Sequence, residues 1–149
     1  MMKNILFLCT GNSCRSQMAE GLVNHFLGDR YRAYSAGTNP SGYVHPLAIR
    51  VMQELDIDIS DGFSKHPDVY RHIDFDLVVT VCDDAVETCP LWLREGEVVH
   101  IGFYDPARAT GPEEERLAIF RQVRDEIRDQ VLPFLASFGA GPDPVKRKT

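Results

Sequence analysis

The residues of this chain best suited to chemistry lie near its start. Cys9 and Arg15 are separated by Thr10, Gly11, Asn12, Ser13 and Cys14, and Ser16 follows. A short apolar run, residues 4–8, precedes them, and a helical pattern comes after. A loop so placed offers a tetrahedral oxyanion a ring of backbone N–H groups and the positive end of a helix dipole. It also offers a guanidinium able to hold two oxygens at once. The chemistry this permits is that of a reactive thiolate held beside a bound oxyanion. The same field is expected to lower the pKa of Cys9, since thiols at helix N-termini beside cations fall from ~8.5 to roughly 3.5–7.5. Ser16 can donate to the sulfur, Gly11 permits a tight turn, and Asn12 tolerates a strained backbone. The plain alternative is a small hydrophobe that ends a strand.

Such a loop needs a strand before it and a helix after it, and the rest of the chain supplies that pattern repeatedly. Residues 4–8, 31–35, 77–81 and 98–101 read as strands, three of them as short apolar runs expected to be buried on both faces. Met18, Ala19, Leu22, Val23, Phe26 and Leu27 recur at helical spacing, with Gly28 as a stop. Pro46 opens a second helix. Gly111-Pro112 followed by Glu113, Glu114 and Glu115 opens the last, which Pro133 is expected to kink or end. Periodicity is lost from Gly139 onward. The expectation is one domain over 1–138 and a flexible tail over 139–149.

Strands alternating with helices imply an α/β fold: a doubly wound, four-stranded, mostly parallel sheet with helices on both faces. Ligands in such sheets sit beyond the C-terminal ends of the strands. The stretches 9–16 and 82–89 and the pair Asp105-Pro106 each follow an expected strand, so the topology brings them to one edge.

The chain has 149 residues, 44% of them hydrophobic, enough for one core. Its net charge of −6 excludes gripping nucleic acid or an anionic membrane with the whole surface, so any anion needs a local device. No apolar run reaches the ~18 residues of a membrane span, and no secretory pattern is evident. Four cysteines are too few for a disulfide scaffold, which suits a cytoplasmic protein with reduced thiols. His25, His45, His66, His72 and His100 lack metal-ligand spacing, and Lys146-Arg147-Lys148 is too short to imply nucleic acid.

The run from Cys9 to Gly21, CTGNSCRSQMAEG, resembles the phosphate-binding loop of the low-molecular-weight protein tyrosine phosphatase fold. More narrowly, it resembles the thioredoxin-coupled arsenate reductases built on that fold. The resemblance covers residues 3–132 and includes Tyr34-Ser35-Ala36-Gly37, Asp56-Ile57-Asp58-Ile59-Ser60, Cys82, Cys89 and Asp105-Pro106. It implies that residues 10–16 cradle arsenate, with phosphate or sulfate as mimics. Cys9 then attacks arsenic, and Asp105 protonates the departing oxygen. Cys82 attacks Cys9 and releases arsenite, Cys89 relays the disulfide to Cys82–Cys89, and thioredoxin reduces it. A monomer is expected, with no cofactor and no resident metal. Cys14 is read as structural.

Two rivals remain. One is a phosphatase hydrolysing phosphomonoesters through a cysteinyl-phosphate, which has no use for a second and third cysteine. In phosphatases of this fold aromatic residues follow the acid, whereas Ala107 and Arg108 follow here. The other is a non-catalytic thiol switch or anion sensor, which needs no placed acid. On their own Cys82 and Cys89 are inert thiols, and their spacing without paired histidines argues against zinc.

Further expectations concern the surroundings of the loop. Many reductases of this family hold potassium at positions matching Asn12, Glu20 and Ser35 plus an aspartate, which falls here at Lys65; the Lys65 ammonium is expected to supply that charge itself. A Cys82–Cys89 disulfide needs Cα atoms about 4.4–6.8 Å apart, so this stretch folds back, as a helical turn when reduced and looped out when oxidised. Trp92 lies near a docking surface or anchors the core.

Overall fold

The computed structural model describes residues 2–82, 89–93 and 97–140. Ile5, Leu6, Phe7 and Leu8 are fully buried, which requires their strand to be covered on both faces. This strand, β1 (Lys3–Cys9), is central, and the sheet order is β2-β1-β3-β4, with β2 at Tyr31–Gly37, β3 at Leu77–Thr80 and β4 at Glu97–His100. All three pairings are parallel. The chain adds β2 on one side of β1 and β3 on the other, so the switch in strand order lies between the C-terminal ends of β1 and β3.

Helix α1 (Arg15–Phe26) connects β1 to β2, α2 (Pro46–Gln53) lies in the crossover to β3, and α3 (Glu113–Ala140) follows β4. Residues alternate across β2. Ala33 and Ser35 point to α1, where Asn24 bonds both backbone groups of Ala33 and Glu20 accepts from the Ser35 hydroxyl at 2.7 Å. On the same face the Tyr31 hydroxyl donates to the Leu135 carbonyl of α3 at 2.7 Å. Tyr34 points the other way and packs edge-on against Tyr70 and Phe75 of the crossover. No helix is long and apolar enough to cross a membrane among the described residues.

Three expectations change. β4 is an edge strand, with Val98 41% exposed, and not a buried run. Two consecutive valines satisfy the apolar count, but only one neighbour strand covers them. α3 continues through Pro133. The proline is exposed, Leu135 stays buried, and Tyr31 and Arg30 donate to the carbonyls of Leu135 and Ala136 beyond it. The helix also includes Gly139 and Ala140, two residues past the expected domain boundary; the tail over 141–149 lies outside the described residues.

α2 is clamped to α3 by a largely buried cation. Arg124, 7% exposed, donates to the Val51 carbonyl at 2.8 Å and to Glu54 at 2.7 Å. Arg121 adds a two-oxygen pairing with Glu54 at 3.0 and 2.9 Å. Removing Arg124 strips a buried carbonyl of its donor. Arg124→Met should therefore cost about 2 kcal/mol in chemical denaturation, and a loss under ~0.5 kcal/mol would show that the clamp contributes little.

Candidate active site

The loop between β1 and α1 is shaped from outside. The carbonyls of Cys9, Thr10, Gly11 and Ser13 accept bonds from the amides of Thr38, Asn39, Ser41 and His45, at 3.1, 2.9, 2.9 and 2.9 Å. The Ser64 hydroxyl also donates to the Gly11 carbonyl at 2.9 Å, and Gln17 donates to the carbonyl of Asn12 at 3.2 Å. With the carbonyls turned outward, the peptide N–H groups face the interior of the ring. Asn12 makes the turn in the left-handed region, at φ 52°, as its residue type allows. Gly37, at the end of β2, is pressed against this ring; a Cβ there would lie 2.4 Å from the Thr10 carbonyl oxygen.

Cys9 Sγ sits within the ring, 2% exposed. It accepts from the Asn12 amide at 3.1 Å and lies 2.9 Å from the Ser16 hydroxyl. Asn12 Nδ2 donates to Ser16 Oγ at 2.8 Å, which leaves the Ser16 proton to point at the sulfur. Burial nevertheless pushes the Cys9 thiol up from its ordinary value. Ser16, the Asn12 amide and Arg15 all pull it down, and together they do not offset the loss of water around the charged form. The expectation of a lowered pKa is thus corrected: the sequence displays the cation and the helix, but not the depth of burial. Cys14, at the N-cap of α1, is pushed up to about 12, again chiefly by burial, which makes it a poor nucleophile.

A cleft of about 700 Å³ opens over the ring, lined by residues 9–15, Cys82, residues 102–105 and Arg108. Arg15 donates to the Phe103 carbonyl at 3.2 Å and lies 3.6 Å from Asp105 Oδ2. Asp105 caps the 3-10 turn Pro106–Arg108, accepting from the Ala107 amide at 3.0 Å. Cys9, Arg15 and Asp105 are thereby brought together as expected.

Cys82 shares the cleft. Its Sγ is 3.3 Å from Thr10 Oγ1, and it is buried. The register pairs Leu8 with Thr80, and the Val81 amide donates to the Leu8 carbonyl, so Cys82 lies one residue beyond the level of Cys9 on the adjacent strand. Cys89 is also buried, 6% exposed, and its Sγ lies 3.8 Å from the Pro90 carbonyl. The helical turn expected between the two lies at residues 83–88, outside the described residues. Arg71 sits over the Trp92 ring at 5.2 Å, and among the described residues Trp92 Nε1 is a buried donor with no hydrogen-bond partner.

Behind the ring, Lys65 Nζ donates to the Phe63 carbonyl at 2.8 Å and approaches Asn12 Oδ1 at 3.4 Å and Ser35 Oγ at 3.5 Å. Burial lowers the Lys65 pKa and raises that of Glu20, each partly offset by the other's charge. The ammonium thus stands against the oxygens that the resemblance assigns to potassium, and these residues do not fit a second cation there. Gln17, Ser64 and the 38–45 loop were not anticipated. Gln17 could have been suspected as a polar side chain on the buried stripe of α1; the loop gives no local signal.

Residues 4–142 match the family model of low molecular weight phosphotyrosine protein phosphatase. The chain is 50% identical over 132 residues to an arsenate reductase of Halalkalibacterium halodurans, covering 89% of this chain and 94% of that one. It is 49% identical over 132 residues to an arsenate reductase of Bacillus subtilis, with the same coverage. Among solved structures, an arsenate reductase in its oxidized state aligns at TM-score 0.77 and 32% identity, over 91% of this chain and 98% of that one. A low molecular weight protein tyrosine phosphatase from T. tengcongensis aligns at 0.72 and 25%, over 91% and 99%.

Two outcomes follow from this geometry. Ser16→Ala removes a bond that favours the thiolate, so the Cys9 pKa rises further. The limb along which alkylation of Cys9, mapped by mass spectrometry, climbs with pH should move to higher pH, and an unmoved limb would deny Ser16 its role. Exchanging sodium for potassium should leave the melting temperature unchanged; a rise specific to potassium would mean that Lys65 does not fill the site.

Proposed function

The chain belongs to the low molecular weight phosphotyrosine protein phosphatase family, and from that membership we propose that it is an arsenate reductase working through Cys9, Cys82 and Cys89. The observation that carries this reading is Cys82, buried in the same cleft as Cys9 and held against the cradle by Thr10. A hydrolase of this family needs one thiol, an oxyanion ring and an acid. Reduction of arsenate needs two electrons, which two thiols supply in becoming a disulfide.

Arsenate lies in the ring, its oxygens on the inward amides and Arg15. Cys9 sulfur attacks arsenic as its proton passes to a substrate oxygen. A neutral thiol with a doubly charged ion carries the same net charge as a thiolate with a singly charged one, so the raised thiol pKa is compatible with attack. The As–O bond breaks, and Asp105 protonates the departing oxygen, which leaves as water. Cys82 then attacks Cys9 sulfur. The As–S pair of electrons goes to arsenic, which leaves as arsenite, and a Cys9–Cys82 disulfide remains. Cys89 attacks the Cys82 sulfur, freeing Cys9 and carrying the disulfide away from the ring. Thioredoxin is the reductant that resets the enzyme, which acts as a cytoplasmic monomer.

Arsenate turnover coupled to nicotinamide oxidation through thioredoxin reductase and thioredoxin tests the reading. The wild type should turn over, and Cys89→Ser should fall by about 100-fold while still releasing one arsenite per chain. Robust turnover by Cys89→Ser would remove the relay. An intact mass that loses no hydrogens when arsenate is added would favour the phosphatase.

A further inference from the structure

Arsenate is doubly charged near neutral pH, and the chain it approaches carries −6. Long-range attraction must therefore come from a cation at the mouth of the cleft. Arg15 is already committed, to the Phe103 carbonyl and the Asp105 side of the ring. Several other arginines are neutralised in surface pairs: Arg50 with Glu113, Arg71 with Asp68, Arg121 with Glu54 and Arg128 with Asp129. Arg108 differs. It is exposed and lines the cleft, and among the described residues its guanidinium has no ion pair or hydrogen bond.

Its position is fixed by the turn that fixes the acid. The Arg108 amide donates to the Asp105 carbonyl at 3.1 Å, the Ala109 amide to the Pro106 carbonyl at 3.1 Å, and Pro106 is buried. Asp105 directs Oδ1 to the Ala107 amide and Oδ2 toward Arg15, so its charge is spent inward. One turn thus presents a carboxyl to the floor of the cleft and a free guanidinium to its rim.

We propose that Arg108 is an oxyanion-capturing residue of this site, a second cation that draws doubly charged tetrahedral ions to the ring and hands them to Arg15. This rests on the reading of the cleft as the arsenate site. It also gives Arg108 a part in selection, because a cation at this rim favours a small dianion where an aromatic residue would favour an aryl ester.

The test compares wild type, Arg108→Gln and Arg108→Lys. At low ionic strength Arg108→Gln should lower kcat/KM for arsenate about tenfold, mainly through KM, and the deficit should shrink to under ~2-fold near 0.5 M salt. Arg108→Lys should keep most of the wild-type value. Calorimetric binding of inorganic phosphate should weaken by a similar factor in Arg108→Gln, with an unchanged melting temperature. Equal phosphate affinity in wild type and Arg108→Gln at low salt, or a deficit indifferent to salt, would overturn the proposal. A wild type that binds phosphate but does not turn over arsenate would sink the reductase reading while leaving the phosphate comparison to decide Arg108.

Discussion

Everything at this site depends on the orientation of a few peptide planes. A ring of N–H groups cannot face inward unless the carbonyls on the same planes find partners outward. The 38–45 loop, Ser64 and Gln17 provide those partners, and Asn12 supplies the one left-handed residue the turn requires. The ring is thus preorganised by hydrogen bonds that never touch the substrate, so little reorganisation is left for the moment of reaction. Lys65 extends the arrangement, holding Asn12 from behind with an ammonium fixed to the chain.

The parallel sheet sets the second requirement. Since β1 and β3 are neighbours in register, the residues just past their ends are close without any dedicated device. A nucleophile at the end of one and a thiol at the end of the other follow from the strand order itself. The α2–α3 clamp through Arg124 holds the helix that follows the 38–45 loop, so bracing of the ring runs from the far side of the molecule.

Much of this was legible in the sequence. Residues 4–8 announced a strand covered on both faces, and the small polar residues after Cys9 announced an anion loop. What escaped was of two kinds. Contacts distant in sequence, such as Ser64 on Gly11 or Gln17 on Phe63, leave no local pattern. Quantities set by depth also escaped: the burial that outweighs Arg15 at Cys9, and the absence of a second neighbour that leaves β4 at an edge. Pro133 does not end its helix, because the buried Leu135 and the Tyr31 hydroxyl on its carbonyl hold the turn beyond, contacts that the local pattern does not display.

Trp92 carries a further consequence. An indole N–H buried without an acceptor among the described residues costs on the order of 1–3 kcal/mol. The stretch just after Cys89 is therefore secured by the Arg71 stack and by apolar packing, against a polar debit. Any arrangement that lets this N–H reach water recovers that amount, so the gap between the resting chain and a more open one is narrower than its buried area alone would set.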